Sequence, residues 1–362
     1  MSIRTILTSL RRPASFLRSR KDVTKVLLST SANDRPGNLL ITLDAFGTIY
    51  SPRIPVPFQY AGLGRKYGVE VSVHDIEQNF KHAYRLLKEK HPNYGRETGI
   101  SPEEWWKNVV IETFKPSWKS PIPRVLRDAL WHNFASKSGY SLCASALPFL
   151  AILSDLRTIA DKTRAGEQDW MFKTITLGVI TNSDDRVINV LQDLDITVNF
   201  QTSVSSSGEV KLLPVGAGNP EDRKHLEKKV DLVTTSYQVG VEKPNKGIFD
   251  AAITSAKQVV NLYYGEGEAE RGGWYWCHIG DEVRGDIVGT MRAGGVGVLY
   301  DAKRKEGELE REISIDGVGP DGRVMVINDL REMLEMLDVL EFMEPYTGLG
   351  WLRDPNSTTP GQ

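Results

Sequence analysis

The sequence predicts an α/β protein, with a doubly wound parallel sheet and a helical domain inserted after its first strand. Two observations lead to this fold class. Short apolar runs alternate with amphipathic segments from residue 141 onward, and such alternation builds parallel sheets with right-handed crossovers. In addition, about 140 residues separate Asp44, which ends the first apolar run, from Thr181, which ends the second. A strand–helix–strand unit needs only about 30 residues, so the interval has room for a further domain.

The sheet and its covering helices are predicted element by element from residue 38 onward. Residues 38–44 form an apolar run that ends in an acid, which suits a parallel strand buried on both faces. The core of the fold is assigned to residues 38–57 and 141–345. The polar stretch 201–234 breaks the alternation and is predicted to be a surface insertion. The remaining core elements are strands at 174–180, 274–279 and 296–300, and helices at 147–164, 184–194, 251–260, 286–293 and 330–340.

Residues 58–140 are predicted to form the inserted helical domain. Apolar residues recur there at the spacing of amphipathic helices, most clearly in 72–89 and 102–114. Four tryptophans also fall in this stretch, and large aromatic side chains bury more area than most residues. We therefore expect these tryptophans to pack inside the insert.

The two ends of the chain are predicted to lie outside the fold. Residues 1–20 contain five arginines, four serines and no acid, with apolar residues at helical spacing. This pattern is typical of a mitochondrial transit peptide, so residues 1–37 predict a leader and import into the mitochondrial matrix. The alternative is a disordered basic arm on a cytoplasmic or nuclear protein. The Gly-, Pro-, Ser- and Thr-containing tail, 346–362, is predicted to be flexible.

Composition excludes several classes of protein. The 362 residues include 45 Lys and Arg against 47 Asp and Glu, a formal charge of −2, which argues against a polybasic nucleic-acid binder. Two cysteines cannot form a disulfide framework. No stretch approaches about 18 consecutive apolar residues, so no membrane span is expected. A soluble intracellular protein is the expectation that remains.

Four polar segments follow predicted strands and are the candidates for a functional site. In open α/β sheets ligands bind beyond the carboxyl ends of the strands, so segments far apart in sequence meet in one crevice. Each segment alone is a weak signal, because an Asp after a strand is often a helix cap and Gly-Asp is a common turn. Their order along the chain is the stronger signal. The segments are Asp44-Ala-Phe-Gly-Thr48, Ile180-Thr-Asn-Ser183, Gly240-Val-Glu-Lys-Pro244 and Gly280-Asp-Glu-Val-Arg-Gly-Asp286.

In this order the segments resemble the four motifs of the haloacid dehalogenase superfamily of hydrolases, over about residues 38–300. The motifs are matched by Asp44, Thr181, Lys243 and the pair Asp281 and Asp286. The resemblance implies a Rossmann-like core with a helical cap domain inserted after the first motif. A closer likeness, to the subgroup named haloacid dehalogenase-like hydrolase domain-containing protein 3, rests on His91-Pro-Asn-Tyr-Gly95, on Trp105-Trp106 with Val109-Val110 and Thr113-Phe114, and on residues 240–249.

The resemblance implies a Mg²⁺-dependent hydrolase that acts on a small phosphorylated metabolite. Asp44 would be the nucleophile that forms an aspartyl-phosphate, and Lys243 would neutralise it. A dianionic phosphate repels a carboxylate, and Mg²⁺ prefers carboxylate, carbonyl and water oxygens. The implied Mg²⁺ ligands are Asp44, Asp281, Asp286 and the backbone carbonyl of Phe46, and the implied substrate-binding residues are Thr48, Thr181 and Asn182.

One position departs from the phosphatases of the superfamily. They usually carry a second aspartate two residues after the nucleophile, which protonates the leaving group, and here that position is Phe46. Loss of a general acid lowers a rate by about 10²–10⁴. An acyl phosphate, a phosphoanhydride or a halide would lose less, because such leaving groups need no proton. The Asp-Ala-aromatic-Gly-Thr run also resembles that of the 2-haloacid dehalogenases, which use no metal.

Three functions therefore stay open. The phosphohydrolase is favoured, because three acids that share a crevice need a counter-charge. The second is a metal-independent 2-haloacid dehalogenase, which needs a cation in the cap to hold the substrate carboxylate. The candidates for that cation are Arg65, Arg85 and Arg96. The third is a non-catalytic binding or assembly protein that keeps the fold.

Overall fold

The computed structural model of the chain describes residues 36–224, 226–303, 312–314 and 323–334. Residues 1–35 of the predicted leader lie outside the described residues, and so does the tail 346–362. Of the predicted helix 330–340, residues 331–334 are described and are helical. The predictions of a transit peptide and of a flexible tail therefore stay predictions.

The core of the protein is one mostly parallel sheet of nine strands, in the order β10-β11-β9-β8-β1-β4-β7-β5-β6. Only the pairs β10–β11 and β5–β6, one at each edge, are antiparallel. Two short strands, β2 and β3, pair separately. The strands are Pro36–Leu43 (β1), Tyr50–Pro52 (β2), Tyr140–Leu142 (β3), Thr174–Thr181 (β4), Thr197–Val204 (β5), Val210–Pro214 (β6), Lys229–Thr235 (β7), Gly273–Gly280 (β8), Val296–Tyr300 (β9), Glu312–Ser314 (β10) and Arg323–Ile327 (β11).

Strand β1 lies at the centre of the sheet and sets the position of the site. It pairs in parallel with β4 and with β8, and Leu43 at its end lies opposite Val179 and Ile279. The three strands therefore end at the same edge. The residues that follow them, including Asp44 and Asp281, emerge side by side.

Helices cover both faces of the sheet and form the insert. One hydrophobic core packs α5 and α6 against the sheet, and a second core packs α8 against it. The first four helices lie between β2 and β3. The helices are Val56–Lys66 (α1), Val73–Lys90 (α2), Pro102–Phe114 (α3), Arg124–Asn133 (α4), Ala146–Arg164 (α5), Arg186–Asp193 (α6), Ser236–Val239 (α7), Lys246–Tyr264 (α8) and Gly289–Ala293 (α9), with 3₁₀ turns at Asn93–Thr98, Pro220–Arg223 and Glu268–Glu270 and a π-helical turn at Val283–Val288.

The stretch 56–133, called the helical insert below, has cores of its own. Tyr60, Phe114 and Leu130 are among the buried residues of one cluster, and Trp105 belongs to another. The chain leaves the sheet through β2 and returns through β3. These strands pair antiparallel, so the two connections to the insert run side by side as a two-stranded ribbon.

The interpretation of 201–234 as a surface insertion was wrong. The segment contains the end of β5, all of β6 and most of β7, and every residue of β7 is buried in the sheet between β4 and β5. The strand was missed because it begins Lys229-Val-Asp231, a charged start that looks like a loop. An ion pair between Asp231 and Arg157 of α5, with 2.6 Å between Oδ2 and Nη2, allows the acid to be buried.

No helix among the described residues has the length and apolar character that a bilayer crossing requires. The predicted helix 286–293 is instead the π-helical turn Val283–Val288 followed by α9. The predicted helix 251–260 is the middle of the longer α8.

Candidate active site

Asp44 begins the loop that leaves the central strand, and its backbone N–H donates to the carbonyl of Ile279 on the neighbouring strand at 2.8 Å. This contact fixes the carboxylate at the edge of the sheet, where it is largely buried. Three residues on, Gly47 has φ +84°, and a Cβ there would lie 2.2 Å from Oδ2 of Asp281. The glycine lets the loop turn and lets Asp281 approach it.

Lys243 lies at the centre of the site. Its Nζ donates to Oδ1 of Asp44 at 2.8 Å, to Oδ1 of Asp286 at 2.6 Å and to the carbonyl of Ile180 at 2.8 Å. The side chain is almost completely buried. Although burial opposes it, Asp44 and Asp286 raise the pKa of Lys243, so the ammonium stays charged between the two acids.

Asn182 holds the backbone of that lysine. Its Oδ1 accepts from the Lys243 N–H at 2.7 Å, and its Nδ2 donates to the Lys243 carbonyl at 3.1 Å. Both polar atoms of the amide thus bind Lys243, and its role in substrate binding stays a prediction. Asn182 connects the end of β4 to the lysine segment.

Asp44, Asp281 and Asp286 form an acidic cluster in which one oxygen of each lies within 4.8 Å of the others. Asp286 reaches the cluster from the π-helical turn, and its Oδ2 accepts from the Glu282 N–H at 2.9 Å. Two of the three carboxylates, those of Asp44 and Asp286, contact the Lys243 ammonium. A surplus of negative charge and a set of oxygen donors are compatible with Mg²⁺.

The acids of the cluster titrate differently. Burial, together with repulsion from Asp44 and Asp286, raises the pKa of Asp281 to about 6. Burial also acts on Asp286, but Lys243 and His278 outweigh it and hold the pKa of that acid well below its usual value. Asp286 is therefore neutralised by residues of the chain, whereas Asp281 has no ion pair among the described residues. The uncompensated charge lies on the side of Asp281.

A chain of buried hydrogen bonds holds Asp286 on the side of the sheet interior. The sequence analysis did not predict these hydrogen bonds. His278 Nε2 lies 3.2 Å from Asp286 Oδ1, and its Nδ1 lies 2.9 Å from the hydroxyl of Thr42. Trp276 Nε1 donates to the same hydroxyl at 2.9 Å. Burial lowers the pKa of His278, so we assign a neutral ring that donates from Nε2 to Asp286. The detectable signal was a pair of polar residues, Thr42 and His278, in two adjacent apolar strands.

Phe46 follows Asp44 by two residues and is 47% exposed. Its ring makes edge-to-face contacts with Tyr50 and Tyr140, at centroid distances of 6.4 and 6.2 Å. These tyrosines belong to the ribbon strands β2 and β3. The ring at this position thus forms part of an aromatic group at the base of the insert.

The remaining predicted site residues lie in different environments. Thr181 closes β4 next to the cluster and is buried. Thr48 is completely buried, and its hydroxyl has no partner among the described residues; that it binds substrate stays a prediction. Arg65 and Arg85 are exposed on α1 and α2, and Arg96 donates to the carbonyl of Tyr237.

The helical insert contacts the site segments through its 3₁₀ turn, Asn93–Thr98. The hydroxyl of Tyr94 donates to the Asn182 carbonyl at 2.6 Å, and Asn93 Nδ2 donates to the Ser236 carbonyl at 2.8 Å. The insert therefore touches the segments that follow β4 and β7.

A buried arginine joins the insert to the core beside that turn. Arg186 forms an ion pair with Asp184 at 2.9 Å, and its guanidinium lies over the rings of Trp106 and Trp131 at 4.5 and 4.4 Å. Trp106 Nε1 also donates to Asp184 Oδ2 at 2.8 Å. Trp106 therefore has a polar contact with the core in addition to its packing.

Comparison with known proteins identifies relatives of the chain. No protein-family model matches it. It is 29% identical to an uncharacterized hydrolase of Schizosaccharomyces pombe, over 68% of this chain and 84% of that protein. It is 27% identical to haloacid dehalogenase-like hydrolase domain-containing protein 3 of Mus musculus, over 84% of this chain and 96% of that protein.

Among solved structures, a magnesium-bound HAD-hydrolase of Bacillus subtilis is similar with a TM-score of 0.46 and 15% identity, over 84% of this chain and 99% of that one. The named sequence relatives confirm the resemblance seen in the four motifs. The chain is thus similar in sequence to haloacid dehalogenase-like hydrolases, and its relatives include the proteins named haloacid dehalogenase-like hydrolase domain-containing protein 3.

Proposed function

We propose that the protein is a Mg²⁺-dependent phosphohydrolase that acts on a small phosphorylated metabolite through an aspartyl-phosphate on Asp44. The observation that carries the proposal is the cluster of Asp44, Asp281 and Asp286, in which Lys243 contacts Asp44 and Asp286. A carboxylate nucleophile attacks a dianionic phosphate only where positive charge offsets their repulsion. One ammonium against three carboxylates leaves that requirement unmet.

The donor set suits a divalent ion. Asp44 and Asp281 would hold Mg²⁺, with the backbone carbonyl of Phe46, and Asp286 would complete or orient the ligand shell. When bound, the ion supplies positive charge that neutralises Asp44 and the phosphoryl oxygens. The surplus charge on the side of Asp281 supports this assignment, because it lies away from Lys243.

The residues of the chain then have distinct roles. An oxygen of Asp44 attacks phosphorus, the bond to the leaving group breaks, and the aspartyl-phosphate is hydrolysed by water in a second step. Lys243 opposes the burial that raises the pKa of Asp44, and it orients the carboxylate. The hydroxyl of Thr181, next to the cluster, is the group we assign to a phosphoryl oxygen.

The leaving group is restricted by Phe46. The phenyl ring donates no proton, and its neighbours Tyr50 and Tyr140 have pKa values that burial raises, well above 10 for Tyr50 and to about 12 for Tyr140. These phenols are therefore weak acids. We infer that the substrates are acyl phosphates, phosphoanhydrides or other esters whose leaving group departs without a proton.

The test measures phosphate release from an activated aryl phosphate by the purified full chain, with Mg²⁺ and with a chelator. Turnover should require Mg²⁺, and acid-quenched protein should retain covalently bound phosphate. Asp44→Asn should abolish both signals. Asp155→Asn, at an exposed position on α5, is the matched control and should behave as the wild type.

Other outcomes would favour the alternatives. Phosphate release that is unaffected by the chelator would overturn the proposal. Halide release from a 2-haloacid without metal would identify a dehalogenase. If a broad panel of phosphate esters gives no turnover while Mg²⁺ still raises the melting temperature, the protein is a binding protein that keeps the site.

A further inference from the structure

A second polar cavity lies at the opposite end of the sheet from Asp44, where the strands begin. Its volume is about 30 Å³. It lies where α5 and α8, which cover opposite faces, approach each other below β4 and β7. The charged and aromatic residues that line it are Arg157, Asp161, Lys224, Lys229, Tyr263 and Tyr264. Strand β7 runs from Lys229 to Thr235 at the site edge, seven residues in all, which corresponds to about 20 Å.

Arg157 is buried in the wall of this cavity, and two of its nitrogen atoms lack a hydrogen-bond acceptor in the described part of the chain. Its Nη2 binds Oδ2 of Asp231 at 2.6 Å. Its Nε and Nη1 are buried and have no hydrogen-bond partner among the described residues. Buried guanidinium donors without an acceptor are destabilising, and they are usually found where an anion or an ordered water binds.

Positive charge is in excess around Arg157. Lys229 is also buried, and its Nζ lies 2.8 Å from Oδ1 of Asp231. Asp231 is thus one buried carboxylate shared by two buried cations. Burial lowers the pKa of Lys229 to about 8, and Arg157 and Lys224 add to the effect while Asp231 opposes it. Asp161 is the remaining acid in the lining.

The outer wall of the cavity is held by the end of α8. Lys224 Nζ lies 3.8 Å from the ring centroid of Tyr264 and donates to the Tyr263 carbonyl at 3.3 Å. The guanidinium of Arg164 lies over the same ring, 4.5 Å from its centroid. These contacts place Lys224, the third cationic side chain of the lining, next to Arg157 and Lys229.

We propose that this cavity is a second anion site, which binds a phosphate group through Arg157, Lys224 and Lys229. A cavity needs about 10–15 Å³ for one water, so the space admits a small oxyanion and excludes a whole nucleotide. Guanidinium and ammonium groups that line one small cavity are the usual recognition set for phosphate. The site is independent of the acidic cluster, which carries the opposite charge.

The test titrates the full-length Asp44→Asn variant with inorganic phosphate in the presence of a chelator, at constant ionic strength. Under these conditions the candidate active site lacks its nucleophile and metal. Phosphate should raise the melting temperature in a saturable manner, and calorimetry should give one site. Adding Lys224→Gln should weaken binding about ten-fold, as loss of a charge-assisted contact does. Lys228→Gln, an exposed lysine in the same segment, is the matched control.

A second variant addresses the unpaired donors directly. Arg157→Lys keeps a cation for Asp231 but removes Nε and Nη1, and it should also weaken phosphate binding about ten-fold or more. Comparison of inorganic phosphate with glycerol phosphate distinguishes a free ion from the phosphate group of a metabolite. If Lys224→Gln, Arg157→Lys and Lys228→Gln all bind phosphate as the parent does, or if the parent shows no saturable binding, the proposal is wrong. Failure here leaves the proposed phosphohydrolase untouched, because that test uses Asp44 and Mg²⁺.

Discussion

The ammonium of Lys243 has three N–H donors, and all three are engaged, by Asp44, Asp286 and the Ile180 carbonyl. The lysine cannot also bind a substrate oxygen unless it gives up one of these partners. Its role in the folded protein is therefore to neutralise two acids. In the reaction that we propose, the positive charge for the phosphate would come from another group near Asp281.

A single substitution at Phe46 is expected to increase activity. Phe46→Asp places a carboxylic acid where the leaving group departs, so hydrolysis of an alkyl phosphate such as glycerol phosphate should rise by about 10²-fold or more. An aryl phosphate, whose leaving group needs no proton, should gain little. The measurement is kcat/KM for both substrates with Mg²⁺.

Phe46→Ala is the control, because it removes the ring from the contacts with Tyr50 and Tyr140 without adding an acid. It should leave the ratio of the two substrates unchanged. An equal rise for both substrates in Phe46→Asp would mean that the new carboxylate does not act as a proton donor.

The residues of the acidic cluster could be found from the sequence because each follows a strand of a parallel sheet. Asp44, Lys243 and Asp281 come together through topology alone, whatever their side-chain contacts. The support by Thr42 and His278 could not be found this way, since it depends on a hydrogen bond between the side chains of two adjacent strands. The same holds for the attachment of Asn182 to Lys243.

At the scale of single elements, the turn Asn93–Thr98 determines how the insert contacts the core. Asn93 and Tyr94 have φ values of 46° and 57°, which are unfavourable for residues with side chains. Both are held by hydrogen bonds across to the core. The turn is therefore stabilised by the contacts that it makes, and it depends on the glycine that follows.

Gly95→Ala tests this dependence. Gly95 has φ +92°, and a Cβ would lie 2.3 Å from Cγ1 and 2.7 Å from the backbone oxygen of Ile100. The substitution should lower the free energy of unfolding by about 2–3 kcal/mol, from backbone strain and overpacking together. Gly99→Ala is matched, since Gly99 has φ +75° but no atom within 4 Å of a Cβ, and it should cost about 1 kcal/mol. Urea unfolding measures both, and equal losses would contradict the steric argument.

The strands were predicted correctly where an apolar sequence is also buried. A strand was missed where its sequence contains charged residues that are nevertheless buried. β1, β4, β8 and β9 read as apolar runs, and their predicted bounds differ from the observed ones by no more than two residues. β7 escaped because Lys229 and Asp231 look exposed in sequence. Their burial follows from Arg157, which comes from a helix more than 60 residues earlier. No local pattern contains that information.

At the scale of the whole molecule, Lys229 gives stability a pH dependence. Its folded-state pKa of about 8 lies below the ordinary value of 10.5, so the unfolded chain holds the proton more tightly. The free energy of unfolding should therefore rise with pH between about 8 and 10.5, by up to about 3 kcal/mol from this group. Below about pH 8 both states are protonated and this gain is absent.

The measurement is urea unfolding in phosphate-free buffer at about pH 7.5 and about pH 10, for the wild type and for Lys229→Met. The unfolding free energy of the wild type, relative to that of Lys229→Met, should be higher at about pH 10 than at about pH 7.5. Lys228→Met, at an exposed position, should show no such shift relative to the wild type. A pH-independent difference for Lys229→Met would show that its ammonium is not destabilised by burial.

The ribbon of β2 and β3 has a consequence for how the whole molecule can move. Both covalent crossings to the insert lie side by side, three residues each, at one border of the crevice that holds Asp44. In a large rigid-body rotation of the insert, this ribbon would act as the hinge. The distance between insert and core would then increase most at the opposite border of the crevice. Substrate would then enter and leave on the side where Tyr94 contacts Asn182. The aromatic rings beside Phe46, at the hinge, would keep their positions during this motion.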